Sequence, residues 1–310
     1  LSMSHVVIQL PKNQLATVQA YYHKNQINKS VPYTQFIAKK NGTTITAYTS
    51  GKILFQGGQA EQEAQRWQNL DITPEEKKVK AATILPKNIA EKSFIGSDEV
   101  GNGSYFGPLI VCAVYAAKEH LPKLKQLGVK DSKMLTDHDI TALAPKIKEI
   151  VPFKLLEVTP QKYNAIQPKY NAVHMKVALH NQAIQLLLEQ IQPEQPEGIL
   201  IDQFTPENNY RKYLKGEKNP ITENLYFITK GEQYHLAVAA ASILCRAKFL
   251  ESLRVGSSEL GIVLPSGAGT RSDQVAATIL KRGGLPLLEQ YAKLHFANTQ
   301  KALKLARMSE

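Results

Sequence analysis

The sequence predicts two domains: a small α+β unit, then a larger α/β unit in which helices cover a mixed sheet. Three observations carry this. The chain has 310 residues, more than the ~100–200 typical of one domain. Its first part interleaves helix-like segments with strand-like runs joined by tight-turn dipeptides. After Ser93, apolar strand-like runs alternate with helix-length segments, the order that builds a helix-covered sheet. The expected division is 1–70 for the first domain, 71–90 for a join and 91–310 for the second domain.

In the first domain, residues 6–10 read as a strand and 11–25 as a helix with Leu15, Val18 and Tyr22 on one face. Strand-like runs follow at 34–40, 43–50 and 52–56, joined by Asn41-Gly42 and Ser50-Gly51, dipeptides suited to hairpin turns. Residues 60–69 read as a helix. An antiparallel meander with helices on one face is the economical arrangement. Tyr33, Phe36, Tyr48 and Phe55 stand among Lys39, Lys40 and Lys52. Strand alternation turns about half of such aromatics inward and leaves the others for a ligand. The join opens with Asp71-Ile72-Thr73-Pro74-Glu75-Glu76, which has helix-start chemistry, and is broken by Pro86-Lys87-Asn88.

In the second domain, strands are expected at 93–100, 109–116, 153–158, 198–202 and 225–229, a five-stranded sheet. A helix over 170–190 keeps Val173, Val177, Ile184, Leu187 and Leu188 toward one face. A second, over 232–253, is Ala-rich, with Ala237, Ala239, Ala240, Ala241 and Ser242 small enough for close approach to a sheet.

Composition narrows the function classes. Lys and Arg exceed Asp and Glu by 38 to 27, a formal charge of +11 with pI near 9.4, which suits a polyanionic partner. Ten basic residues against five acidic ones precede residue 81, so the surplus is spread over both domains. Hydrophobic residues at 43% and charged residues at 21% exclude wholesale disorder. No apolar run approaches the ~20 residues that cross a bilayer, and no signal-peptide layout is present. Leu1-Ser2 ahead of Met3 reads as a remnant outside the fold. Cys112 and Cys245 stand alone in apolar stretches and read as buried free thiols in a reducing cytoplasm.

The chemistry concentrates in acids at strand ends. In residues 94–108, Asp98-Glu99 follows an apolar strand start and Gly101-Asn102-Gly103 follows the acids. An acid in a doubly covered strand is expensive unless a cation pairs with it. The two glycines let backbone groups approach a ligand closely. Asp202 ends the apolar run 198–201, and Glu232 follows the next strand. Ligands gather outside strand ends in such sheets. Each acid alone also reads as structural, Glu232 as a first-turn acid on the helix dipole. Converging, they make an all-oxygen site for Mg²⁺ or Mn²⁺, and no Cys/His cluster competes for zinc.

The run Gly96-Ser97-Asp98-Glu99-Val100-Gly101-Asn102-Gly103-Ser104-Tyr105-Phe106-Gly107-Pro108 resembles the signature of the bacterial type 2 ribonucleases H, and within them ribonuclease HIII. The resemblance continues through Gly128-Val129-Lys130-Asp131-Ser132-Lys133, Ile201-Asp202-Gln203-Phe204, Gly231-Glu232 with Ala239-Ala240-Ala241-Ser242-Ile243, and 292–299. The stretch 44–57 is similar to part of that family's TBP-like substrate-binding domain. Glu232 as the fourth acid and Leu264-Pro265-Ser266-Gly267-Ala268 favour HIII over HII. Asn102, Ser104 and Ser266 depart from the usual pattern.

The resemblance implies an RNase H-like fold preceded by a TBP-like domain. It implies an endonuclease that cuts the RNA strand of RNA–DNA hybrids and leaves 5′-phosphate and 3′-hydroxyl ends. Asp98, Glu99, Asp202 and Glu232 would hold two Mg²⁺ or Mn²⁺ ions, with Asp98 bridging them. Two ions serve both ends of an in-line displacement. Gly101, Asn102 and Gly103 would read the ribose 2′-hydroxyl through their backbone, Lys133 and Arg246 would contact phosphates, and Ser242 would touch substrate. His235, expected on the same helix as Glu232, and His295 read as packing residues. A cytoplasmic monomer is expected. Two alternatives stay open: HII-like cleavage at single ribonucleotides in duplex DNA, and a non-catalytic hybrid-binding protein with structural acids.

Overall fold

The computed structural model describes residues 5–29, 31–68 and 84–307, so most of the join expected over 71–90 lies outside the described residues. The chain forms two compact units, Leu1–Ile84 and Leu85–Glu310.

In the first unit, β1 (His5–Gln9), β2 (Thr34–Lys40), β3 (Thr43–Tyr48) and β4 (Lys52–Gly57) form an antiparallel sheet in the order β1-β4-β3-β2. Asn41 and Gly42 both take positive φ, 48° and 71°, as a two-residue hairpin between right-twisted strands requires. From α1 (Leu15–Tyr21) and α2 (Ala60–Gln68), Leu15, Val18, Ala64 and Trp67 join a core with Phe36, Ala38, Ile45, Ala47, Ile53 and Phe55. The strand members alternate along the chain, so they share one face. The helix expected over 11–25 is confined to α1, with single 3₁₀ turns at Lys12–Gln14 and His23–Asn25. No side chain caps its N-terminus, and a short uncapped helix does not propagate.

The opposite sheet face carries Lys39, Thr44 and Gln56 in one cross-strand row and Ile37, Thr46, Leu54 and Val7 in the next. Phe36 and Phe55 turn into the core, Tyr48 is half-buried, and Tyr33 is 84% exposed. Lys40 leans over the Tyr21 ring, 4.2 Å from its centroid.

The second unit holds β5 (Phe94–Val100), β6 (Leu109–Ala116), β7 (Phe153–Val158), β8 (Gly198–Asp202) and β9 (Leu225–Ile228) in the order β7-β6-β5-β8-β9. The β5-β6-β7 pairs are antiparallel and the β5-β8-β9 pairs parallel. This is the mixed five-stranded sheet expected. One face packs on α3 (Leu121–Leu127), α4 (Asp137–Ile150), α8 (Leu236–Leu260), α9 (Thr270–Leu288) and α10 (Asn298–Arg307). The other packs on α6 (Ala172–Ile191) and α7 (Glu207–Leu214), while α5 (Pro160–Ile166) follows β7. The all-buried β6 sends Ile110, Cys112 and Val114 to the α8 side and Val111, Ala113 and Tyr115 to the α6 side, as strand alternation demands.

Small residues let α8 lie against β5. A Cβ added at Gly96 would fall 2.3 Å from the Val238 backbone nitrogen. The helix boundary differs from expectation. Lys230 takes positive φ, Gly231–Gln233 form a separate 3₁₀ turn, and α8 begins only at Leu236. The His235 ring caps α8 by accepting from Ala237 N at 3.0 Å, so Glu232 is not a first-turn acid of that helix. Cys112 and Cys245 are buried free thiols.

Candidate active site

The parallel pairing of β5 with β8 brings the acids together. The register runs from Phe94↔Gly198 to Ser97↔Ile201, so Asp98 and Asp202 both stand one residue beyond the last pair. Strand alternation then sends Asp98 and Glu99 to opposite faces.

Asp98 lies on the α8 side. Its Oδ1 accepts from Glu99 N at 2.7 Å, the Ser242 hydroxyl donates to its carboxylate, and the Cys245 thiol donates to its backbone carbonyl at 3.4 Å. Burial, then the charges of Glu99 and Asp202, push its pKa well above the ordinary carboxylate range. Ser242 is in turn bonded to Ser132 at 2.9 Å, which ties the 128–133 motif to the Asp98 carboxylate.

Glu99 lies on the α6 side, between two basic groups. His180 Nε2 is 2.7 Å from Oε2, and Lys176 Nζ is 3.6 Å from Oε1. His180 Nδ1 is 2.8 Å from Ser97 Oγ, and its ring stacks on Phe204. A ring that accepts from Ser97 and donates to Glu99 satisfies both contacts. Sequence reasoning missed Lys176 and His180. The available signal was polar residues within the buried stripe of α6, beside Val177 and Ile184.

Asp202 accepts from Gly231 N at 2.8 Å, which fixes the turn carrying Glu232 beside it. Burial raises the Asp202 pKa, the Gly231 amide opposes this, and the charges of Glu232 and Glu99 raise it further. Glu232 is half-buried at the edge of an open groove of about 920 Å³, which Lys118, Lys125, Lys130 and Asp131 also line.

The other expected residues divide. Asn102 and Gly103 are exposed at a tight turn in which Ser104 N donates to Gly101 O at 3.2 Å. Gly101 has φ +95°, and a Cβ there would fall 2.0 Å from Pro108 O, so only glycine fits. Lys133 is exposed, and Arg246 pairs with Asp137 at 3.4 Å. His235 is buried and its Nε2 donates to Lys92 O at 2.7 Å rather than facing the acids, while His295 stacks on Tyr163.

Among the described residues, no three His, Cys, Asp or Glu side chains are grouped closely enough to hold an ion as they stand. Glu99 is drawn away to Lys176 and His180. The donor chemistry nevertheless fits hard divalent cations: each of the four acids would offer carboxylate oxygens, and two of them are held above their ordinary range partly by like charge.

A family model described as Ribonuclease HII matches residues 95–299, and one described as a domain of unknown function (DUF3378) matches 5–80. Ribonuclease HIII of Enterococcus faecalis is 63% identical over 305 residues, covering 98% of this chain and 100% of its own. Ribonuclease HIII of Listeria monocytogenes is 46% identical over 310 residues, with coverage of 98% and 100%. The crystal structure of Bst-RNase HIII in complex with Mn²⁺ is similar at a TM-score of 0.71 and 40% identity, covering 98% of this chain and 100% of that one. With both architecture and near-full-length identity in agreement, the chain belongs to the ribonuclease HIII family.

Proposed function

We propose that this chain is a metal-dependent endoribonuclease that hydrolyses the RNA strand of RNA–DNA hybrids, with Asp98, Glu99, Asp202 and Glu232 as the ion-holding acids. The observation that carries the assignment is the convergence of four acids from three separate stretches on the ends of β5 and β8 and the turn after β9. Bound Mg²⁺ or Mn²⁺ would lower the pKa of the attacking water and relieve charge at the leaving oxygen.

The chain's own residues do the rest. Ser242 orients the Asp98 carboxylate, and Gly231 N orients Asp202. Gly101, Asn102 and Gly103 present their backbone to the minor groove, where the 2′-hydroxyl distinguishes RNA from DNA. Lys118, Lys125 and Lys130 line the groove at Glu232, and with Lys133 they offset phosphate charge that the acids would repel. The first unit holds substrate rather than cutting it, with Lys39 and Lys52 exposed on its sheet. The working form is read as a monomer in the cytoplasm, and two buried free thiols support the reducing compartment. No helix among the described residues is long and apolar enough to cross a membrane.

The test is hydrolysis of a labelled hybrid with Mg²⁺ or Mn²⁺ against EDTA, for the wild type and Asp98→Asn. Cutting by the wild type with metal, and hybrid binding without cutting by the variant, are expected. A variant that still cuts would remove Asp98 from the mechanism, and a wild type that binds without cutting would favour a binding protein. A long hybrid is expected to be cut faster than duplex DNA with one ribonucleotide; the reverse order would indicate HII-like specificity.

A further inference from the structure

Lys293 is fully buried, in a segment that sequence reasoning treated only as family-like. Among the described residues it pairs with no carboxylate; burial alone lowers its pKa to about 7. An ammonium is expensive to bury without a reason, and its contacts supply one. Nζ donates to Ser104 O at 2.7 Å and to Gly107 O at 2.5 Å, and its backbone N donates to Tyr105 O at 2.9 Å. Either protonation state of the amine offers the two donors those carbonyls need.

The same segment grips this loop at further points. Gly107 N donates to Tyr291 O at 3.0 Å, Phe106 forms a bridge with Ala292, and Tyr105 OH meets Thr299 Oγ1 at 2.7 Å. Asn164 holds the segment from behind, donating to Ala292 O and accepting from Leu294 N. Four successive loop carbonyls are thus satisfied, those of Ser104, Tyr105 and Gly107 by Lys293 and that of Phe106 by the Ser104 hydroxyl, while Asn102 and Gly103 at the tip stay exposed. Stripped of the buried amine, Ser104 O and Gly107 O would lie inside the protein without their donor, and the loop would have to move toward water.

We infer that residues 291–299 form a positioning strap, anchored by Lys293, that sets the Gly101-Asn102-Gly103 turn at the depth needed to read the ribose 2′-hydroxyl. Lys293 acts through the loop and touches no substrate. This rests on the reading of that turn as the 2′-hydroxyl reader, and the two are separable. At Gly103 an added Cβ meets nothing within 4 Å. Gly103→Ala therefore leaves the free protein undisturbed and obstructs only a closely approaching ligand.

The experiment measures Kd for an RNA–DNA hybrid and for the same sequence as duplex DNA, in EDTA and well below the melting temperature. Lys293→Met and Thr299→Val are expected to reduce the preference for hybrid about tenfold, equivalent to ~1.4 kcal/mol, with DNA affinity unchanged. A merely destabilising change would not alter that ratio in the folded protein. If Lys293→Met does not fold, Thr299→Val decides. Wild-type preference in the folded strap variants, together with lost preference in Gly103→Ala, would overturn the strap and leave the reader standing. Wild-type preference in Gly103→Ala would overturn the reader itself.

Discussion

Neutralising Asp98 is expected to stabilise the metal-free protein while abolishing cleavage. Its carboxylate is buried beside Glu99 and Asp202, and both burial and those charges raise its pKa. An acid whose native pKa exceeds its unfolded value binds more protons in the native state between the two values. Its ionisation therefore subtracts nothing below the unfolded value of ~3.9 and destabilises progressively as pH rises through the native value. Asparagine removes that penalty and keeps an oxygen to accept from Glu99 N, as Asp98 Oδ1 does at 2.7 Å, while its amide can donate to Ser242. Relief of a buried, like-charged group is on the order of 2 kcal/mol, or roughly 4–8 °C for a unit of this size. Metal should reverse the ranking: at a hundred times Kd it adds ~2.7 kcal/mol to the wild type and much less to the variant. Thermal unfolding in EDTA and in Mg²⁺, from pH 5 to 8, reads both effects. In EDTA the advantage of Asp98→Asn should widen as pH rises. A variant that melts at or below the wild type in EDTA, or gains as much from Mg²⁺, would refute the reasoning.

Four further outcomes are expected. Metal binding should release protons, because Asp98 and Asp202 are held above their ordinary range; calorimetry in buffers of different ionisation enthalpy reads this, and affinity should fall as pH is lowered. Lys39→Ala with Lys52→Ala should weaken hybrid binding and reduce the slope of log K against log salt by about 1–2; an unchanged slope would take these lysines off the phosphates. Removing residues 1–85 should raise KM much more than it lowers kcat, and equal losses would mean that the first unit also shapes the active site. Gly96→Ala drives a methyl into the Val238 backbone at 2.3 Å and should destabilise the second unit by about 2–3 kcal/mol, seen as a lower urea midpoint.

Strands were legible in the sequence because alternation and flanking turn residues are local signals. The five strands of the second unit lie within a residue of their expected ends at every boundary. Helices were less legible where the backbone interrupts them. The segment α9 carries Pro286 and a break at Gly284, and α4 carries Pro145, so neither shows an unbroken period. The Thr136/Asp139 capping box of α4 was the readable signal there. The position of Glu232 was misjudged because a 3₁₀ turn and a histidine cap look, in sequence, like the first turn of the Ala-rich helix. Lys176, His180 and Lys293 escaped notice for a common reason. Their value lies in partners 77 to 189 residues away, and no local pattern announces such a partner.

The opposite facing of Asp98 and Glu99 helps a basic protein to gather four acids at one sheet end. Asp98 and Asp202 both have a raised pKa, and the partners differ: the Ser242 hydroxyl at Asp98, Lys176 and His180 at Glu99, the Gly231 amide at Asp202, and partial exposure at Glu232. Glu99 meets Lys176 and His180 directly, so these two groups would compete with an ion that Glu99 helped to hold. The buried lysine on α6 thus offsets the charge of Glu99 in the proposed mechanism. Lys176 also lies 4.5 Å from the Phe204 ring centroid, a second favourable contact for its buried ammonium.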